Sequence, residues 1–286
     1  MSAVSVASEW RAANERAQLH ARDCNLVLEP VELGNPCARY ATLTALSLDG
    51  QELQARVIVP TSEGAHPALL MFHDATRDVR GWHHMTRFVA LGFSVLALQS
   101  RPGVRGVLVD EPLVVGDGLG VAMRVMGEEP QRLGRALDAA TADVLRQTYL
   151  DALVLAHLAA RVPGVDASRL VAWGEGLGAG LALVVGSLAG ARGVCALNPM
   201  PAALDDACAE LDVARIACGC ACPVLLGTCM LDLQATPEAQ DVLAQALPQV
   251  RRLHYPRYAH ERVNAFEDEV MVFLADLMRN PCPYVL

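Results

Sequence analysis

The segment at residues 169–180 constrains the fold of this chain more than any other. Its sequence, RLVAWGEGLGAG, has the pattern of a short buried strand that runs into a tight glycine-rich turn and then into a helix. Neighbouring parallel strands must be joined by a crossover, which is usually a helix. The segment therefore predicts a parallel sheet whose faces are covered by helices.

The same alternation continues along most of the chain. Short apolar runs predict buried strands at 68–72, 93–98, 169–173, 193–197, 223–227 and 251–255. Between them, helices are predicted at 81–90, 145–160, 177–188, 237–246 and 262–278. Strands and helices in alternation indicate an α/β fold with a mostly parallel sheet and helices on both faces.

The N-terminal part has a different pattern. Residues 5–22 form an amphipathic stripe typical of a helix, and residues 40–60 predict a β-hairpin around Asp49 and Gly50. We expect the hairpin at one edge of the sheet. We also expect a single domain over 1–286, with a helical extension at 1–37 and an insertion at 101–144 near the ligand-binding edge of the sheet.

Composition excludes several classes of protein. Of 286 residues, 53% are hydrophobic and 19% charged, which excludes intrinsic disorder, and the net charge of −9 argues against binding to nucleic acid. No apolar run predicts a signal peptide or a membrane span. Nine cysteines fit reduced thiols better than a disulfide framework. We expect a cytoplasmic protein with neither nucleic acid nor membrane as partner.

The turn at 174–178 matches the nucleophile elbow G-x-S-x-G except at its central residue. Gly174 and Gly178 stand at the glycine positions, and Gly176 stands where the serine would be. In α/β hydrolases an acid and then a histidine follow later strands. Asp232 ends the run CPVLLGTCMLD, and His260 follows the last predicted strand. The order predicts that Asp232 accepts a hydrogen bond from His260, a general base.

Five segments, taken in order, resemble the acetylxylan esterase and cephalosporin-C deacetylase family of α/β hydrolases. They are AHPALLMFHD, FVALGFSVLAL, VDASRLVAWGEGLGAGLAL, CPVLLGTCMLD and YAHERVNAF. The resemblance runs from about residue 57 to the last helix. It implies the α/β-hydrolase fold, deacetylation of small acetylated sugars or similar esters through an acyl-serine, and often a compact homohexamer.

Two departures fall within the catalytic machinery that the resemblance implies. The family's serine aligns with Gly176, which cannot attack a carbonyl. The family's His-Gly-Tyr, which helps to build the oxyanion hole, is His73, Asp74 and Ala75 here. The N–H groups of Ala75 and Leu177 remain candidates for that hole. A carboxylate at about 4 Å from the oxyanion would oppose it by roughly 4 kcal/mol at an effective dielectric constant near 20. Ester hydrolysis should therefore be weak or altered.

Two functional hypotheses remain open. In the first, the protein is an ester hydrolase in which His260 activates water and Asp232 orients the histidine. In the second, it is a pseudoenzyme whose pocket binds a small acylated or sugar-like ligand or supports an oligomer. Asp232 and His260 would then be a structural remnant. Apart from these two hypotheses, Asp74 and His260 could form an acid–base pair for non-hydrolytic chemistry. The candidate pocket residues are His73, Asp74, Glu175 and Trp82.

The cysteines offer further alternatives. Cys229 lies close to Asp232 in sequence, so it is either a substitute nucleophile or a small buried core residue. Cys218, Cys220 and Cys222 alternate in CGCAC, which would place all three on one face of an extended segment. Structural zinc usually takes four ligands from paired motifs, so we expect no metal and no cofactor.

Overall fold

A computed structural model describes residues 3–75, 79–101, 139–258 and 262–279. Within these ranges the strands are β1 (Leu26–Val31), β2 (Ala38–Leu46), β3 (Glu52–Pro60), β4 (His66–Phe72), β5 (Ser94–Leu98), β6 (Val165–Glu175), β7 (Gly193–Leu197), β8 (Val224–Leu231) and β9 (Val250–Tyr258). The α-helices are α1 (Ala3–Asp23), α2 (Trp82–Thr86), α3 (Ala139–Leu158), α4 (Leu177–Leu188), α5 (Val213–Ala217), α6 (Pro237–Ala246) and α7 (Asn264–Arg279). Short 3₁₀ turns cover Arg87–Leu91, Ala159–Arg161 and Asp206–Leu211.

All nine described strands belong to one mixed sheet. Its order is β1-β2-β3-β5-β4-β6-β7-β8-β9. The six strands from β5 to β9 in this order are parallel, whereas β1, β2 and β3 run antiparallel to one another and β3 runs antiparallel to β5. The predicted mostly parallel sheet with an antiparallel hairpin towards one edge is therefore confirmed.

The outermost strand, β1, was not predicted. It pairs with β2, so the hairpin lies one strand in from the edge of the sheet. Its sequence LVLEPV has weak alternation, and every side chain in it is at least partly exposed. Pro30 is tolerated in this strand because an edge strand does not need every N–H for the ladder.

Helices cover both faces of the sheet, as predicted. One core cluster joins α1, α3, α4, α5 and α6 to the first face, and a second joins α2 and α7 to the other. The central strands are buried on both faces, and β7 is buried at all five residues. Continuous apolar runs identified these strands because no solvent-facing side imposes alternation on them.

Two expected segments differ from the structure. The helix predicted at 81–90 is instead α2 followed by a 3₁₀ turn, which ends at Gly92 with φ of 82°. Residues 139–144, which were assigned to the insertion, form the first turns of α3. The rest of the insertion from 102 onward lies outside the described residues.

Helix α1 packs closely against the rest of the fold. The Trp10 side chain is 1% exposed, and its ring centroid lies 5.4 Å from that of Tyr149 on α3. Trp10 Nε1 donates to the carbonyl oxygen of Glu210 at 2.5 Å. Asn14 Nδ2 donates to the carbonyl oxygen of Leu188 at the end of α4. The N-terminal helix therefore contributes directly to one core cluster.

We expect Trp10→Ala to lower the free energy of unfolding by about 3–5 kcal/mol, since the change leaves a cavity and an unpaired carbonyl. Leu19→Ala on the same helix is the control. Leu19 is 58% exposed, and its truncation should change stability by less than about 0.5 kcal/mol. Denaturant unfolding measures both values. Equal effects of the two substitutions would contradict the packing described for α1.

Candidate active site

The elbow (residues 174–178) has kept a sharp turn between β6 and α4. Gly176 has φ of 55° and ψ of −122°, a conformation that glycine adopts more readily than other residues. Its N–H donates to the carbonyl oxygen of Leu197 at 2.9 Å, and its carbonyl oxygen accepts from Met200 N at 3.2 Å. Neighbouring strand and loop thus fix the turn although no serine occupies it.

The flanking glycines allow a close approach of backbone segments. A Cβ on Gly178 would lie 2.6 Å from the carbonyl oxygen of His73, and one on Gly174 would lie 2.6 Å from Ala179 N. Real Cβ atoms do not approach other atoms so closely. The start of α4 is therefore pressed against the loop that follows β4, which brings Asp74 to the elbow.

The Asp74 carboxylate occupies the volume that a side chain at residue 176 would need. A Cβ built on Gly176 would lie 2.6 Å from Asp74 Cγ and 3.2 Å from Oδ2, and closer still to Oδ1. Asp74 is only 3% exposed. Its carboxylate thus lies where the hydroxyl-bearing side chain of a nucleophilic serine would begin. The two departures from the family pattern, Gly176 and Asp74, therefore concern the same volume: the carboxylate takes the space that the absent side chain leaves.

Asp232 is held in a fixed orientation just after β8. Its Oδ1 accepts from the N–H groups of Gln234 and Ala235 at 2.8 and 2.9 Å. Its Oδ2 accepts from Asn198 Nδ2 at 2.9 Å. The predicted acid is therefore buried and well ordered. His260 lies outside the described residues, so its hydrogen bond to Asp232 stays a prediction.

Asn198 is a site residue that sequence reasoning missed. It directly follows β7 and has φ of 49°, a conformation that asparagine tolerates better than most residues. Besides donating to Asp232, it accepts from Cys229 N at 2.6 Å through Oδ1. The sequence signal that identifies Asn198 as a candidate is its place as a polar residue at the carboxyl end of a buried parallel strand.

The remaining predicted residues lie in different surroundings. His73 Nδ1 lies 3.0 Å from the carbonyl oxygen of Asp74, and Nε2 lies 3.3 Å from Ser100 Oγ. Trp82 begins α2, and its ring packs edge-on against Tyr40 at 5.6 Å. Ala75 and Leu177 are both buried. Two expectations stay predictions: the backbone N–H groups of Ala75 and Leu177 donate to an oxyanion, and His73 and Trp82 line a pocket.

Glu175 belongs to a partly buried charge cluster, which consists of Arg80, Arg87, Arg262, Glu175, Glu267 and His84. Both Glu175 oxygens accept from Arg80 Nη2 at 2.6 Å, and Arg80 also lies over the Trp173 ring. Glu267 on α7 pairs with all three arginines at 2.8 to 3.4 Å. The side chain next to the elbow is thus tied through Arg80 to α7.

The charge cluster shifts the pKa values of two of its members. Burial alone would raise the pKa of Glu267, but hydrogen bonds from Arg262 and Arg87 outweigh it and lower that pKa. Burial lowers the pKa of His84 from 6.5 to about 4, and the charges of Arg80, Arg87 and Arg262 add to this effect against the attraction of Glu267. His84 is therefore neutral in the folded protein at neutral pH.

The cysteines near the site differ in environment. Cys229 is fully buried in the core cluster beneath α7, as a packing residue would be. Cys220 and Cys222 are buried with their sulfur atoms 3.5 Å apart. The prediction that Cys218 shares their face is wrong, because Cys218 ends α5 in a turn and is exposed. Among the described residues, no group of three or more His, Cys, Asp or Glu side chains could hold a metal ion.

The family model for acetyl xylan esterase (AXE1) matches residues 10–204, which is more than half of the chain. The chain belongs to the acetyl xylan esterase family. The suspected family is thus confirmed. Among the curated proteins, none matches the chain.

Solved structures of acetyl xylan esterases share the fold. Acetyl xylan esterase 1 from Thermoanaerobacterium sp. JW/SL YS485 is 22% identical, with a TM-score of 0.73 over 94% of this chain and 93% of that one. The acetyl xylan esterase from Paenibacillus sp. R4 is 16% identical, with a TM-score of 0.71 over 93% and 94%. A cold-adapted esterase from an Arctic intertidal metagenomic library is 14% identical, with a TM-score of 0.59 over 88% and 98%. The α/β-hydrolase fold is therefore established.

Across the described ranges of this acetyl xylan esterase family member, no helix combines the length and apolar character that a membrane span requires.

The charge cluster predicts how stability depends on pH. The folded pKa of His84 is about 4, below its usual 6.5, so the unfolded state binds more protons between these values. Stability should therefore fall as the pH falls through this window. Because His84 is partly exposed, its share is roughly 1 kcal/mol between about pH 7 and pH 5 after solvent screening.

The variant His84→Gln, which cannot gain this proton, should lose correspondingly less stability on acidification. Urea unfolding at the two pH values measures the difference. The same pH dependence in both proteins would show that folding does not lower the pKa of His84.

Proposed function

We propose that this protein hydrolyses small acetylated, sugar-like esters weakly, by an altered route that forms no acyl-serine. One observation carries the exclusion of an acyl-serine route. The Asp74 carboxylate fills the space of the missing nucleophile's side chain, in an elbow whose turn is intact. A protein that had merely lost its serine would leave that space to solvent or substrate. Here another functional group takes it.

In the proposed route, His260 removes a proton from water as the water attacks the acetyl carbon directly. The acyl–oxygen bond then breaks, His260 returns the proton to the departing alkoxide, and an alcohol and acetic acid are released. Asp232 orients His260 by accepting its other N–H. The support is the environment of Asp232, which is buried and held by Asn198 and two backbone N–H groups. The N–H groups of Ala75 and Leu177 would stabilise the oxyanion, as first proposed from the sequence.

A second candidate function is a pseudoenzyme that binds a small acylated or sugar-like ligand or serves as a subunit of an oligomer. The position of Asp74 favours it, because a negative carboxylate beside the elbow opposes the charge that develops during acyl transfer. The two candidates differ in a single measurable property, namely turnover of an ester.

Several further features belong to the proposal. We infer a single domain over 1–286, a cytoplasmic location, a homo-oligomer and no need for a cofactor. The composition and the resemblance to the esterase family support these inferences. Light scattering of the purified protein would test the oligomer.

The direct test is hydrolysis of 4-nitrophenyl acetate by four proteins. The native chain should give at most the roughly 10³-fold acceleration over water that a site keeps without its nucleophile. Gly176→Ser alone should gain little, because its Cβ collides with the Asp74 carboxylate. The pair Asp74→Gly/Gly176→Ser frees that space and should exceed the single variant by at least about 100-fold in kcat/KM.

His260→Ala is the control in the native background and should abolish whatever turnover is present. Turnover that survives this substitution would contradict the proposed base. No turnover in the native protein would favour the pseudoenzyme. If Gly176→Ser alone were as active as the pair, Asp74 would not occupy the nucleophile's space.

A further inference from the structure

The Asp74 carboxylate has a position that suits chemistry of its own. We propose that Asp74 acts as a covalent nucleophile towards small molecules in which a saturated carbon carries a halide leaving group. This activity is separate from the ester hydrolysis proposed above. Carboxylates serve as covalent nucleophiles in other enzyme classes, so the residue type suffices for such a step.

The first support for Asp74 as a covalent nucleophile is the position of its carboxylate. Its Oδ1 and Oδ2 lie around the point where a Cβ of residue 176 would be, at the apex of the elbow. The sharp turn is the device that presents a nucleophile at the top of an α/β sheet. The turn is retained here with φ of 55° at Gly176, and the group at its apex is supplied by the loop after β4.

The second support for a covalent role of Asp74 is the electric field at the N-terminus of α4. Gly176 caps the N-terminus of α4, a helix of 12 residues, so the carboxylate lies at the positive end of that helix. Such an end stabilises the ionised carboxylate, which is the reactive form. It would equally stabilise an oxyanion formed later on Asp74 Cγ.

The substrate class follows from how readily a carboxylate leaves after it has attacked. If a carboxylate attacks an ester carbonyl, the tetrahedral intermediate holds a carboxylate and an alkoxide as competing leaving groups. The carboxylate is the conjugate base of a much stronger acid than the alkoxide is, so the carboxylate leaves far more readily. The intermediate would therefore revert to the ester, and acyl transfer to Asp74 is disfavoured.

Displacement at a saturated carbon passes through no tetrahedral intermediate that could revert to the substrate. An Asp74 oxygen forms a bond to the carbon with its own electron pair while the carbon–halogen bond breaks, and the halide leaves with that bonding pair. The product is a stable alkyl ester on Asp74. The negative charge moves from the carboxylate to the halide, and no proton donor is needed for its departure.

Water completes the cycle. It adds to Asp74 Cγ, the alcohol departs, and the carboxylate is regenerated with one oxygen from water. The proton released goes to the solvent. The sum is a haloalkane plus water giving an alcohol, a halide ion and a proton. Asp74 is 3% exposed, and two buried apolar residues lie near it: Ala75 follows it in the chain, and Leu177 follows Gly176 at the elbow. The substrate should therefore be small and uncharged.

The test uses 1,2-dibromoethane as the probe and the purified full chain. We expect bromide release by the native protein at least about tenfold above that of Asp74→Asn, which keeps the shape of the side chain and removes its charge. Mass spectrometry should find an alkyl adduct on the peptide that contains Asp74. The cysteines react equally in both proteins, so the comparison removes their contribution.

A second measurement stands without any variant. After turnover in oxygen-18 water, the Asp74 carboxylate of the native protein should carry the label. Equal bromide release in both proteins, or no label and no adduct on Asp74, would overturn the inference. If Asp74→Asn does not fold, the label on the native protein decides alone. Ester hydrolysis by Asp74→Gly/Gly176→Ser is read independently, so each proposal can fail without the other.

Discussion

The carboxylate of Asp74 and a side chain at residue 176 compete for one small volume at the top of the sheet. The volume is closed by backbone: α4 is pressed against the loop after β4 so tightly that Gly178 has no room for a Cβ. Close-packed interiors resolve such competition by admitting one group or the other. With the Asp74 carboxylate in this position, a side chain at residue 176 of this chain has no room.

The scaffold around this volume is rigid on two sides. Above β7 and β8, Asn198 connects Asp232 to the backbone of Cys229. On the α7 side, Glu175 connects the elbow to Arg80 and through it to Glu267. Buried charges are retained only when they are paired, since each one left alone is costly. The candidate site is thus held on two sides by hydrogen-bonded and ion-paired side chains.

Much of the fold could be predicted from the sequence because its signals are local. Strands such as β7 are buried on both faces and appear as continuous apolar runs, and the elbow is marked by closely spaced glycines. Edge strand β1 escaped prediction because it is exposed and contains Pro30. The alternation of Cys218, Cys220 and Cys222 predicts an extended backbone, whereas a helix ends at Cys218.

The site was predictable in its residue types but not in its contacts. Gly176 and Asp74 were each recognised as departures, yet nothing in the sequence shows that one fills the space of the other. The partners of Glu175 and Asp232 are far away in the chain, so only the fold brings Arg80 and Asn198 to them. Contacts of this kind depend on tertiary packing, which local patterns do not encode.

The Asp74 carboxylate takes the space that a side chain at residue 176 would need. A double-mutant cycle of unfolding free energies with Gly176→Ala and Asp74→Gly tests it most directly. Gly176→Ala should be strongly destabilising in the native background. In the Asp74→Gly background its cost should shrink by at least about 1 kcal/mol, to the strain of the positive φ alone. Additive effects of the two substitutions would show that the groups do not share that volume, and would contradict the account.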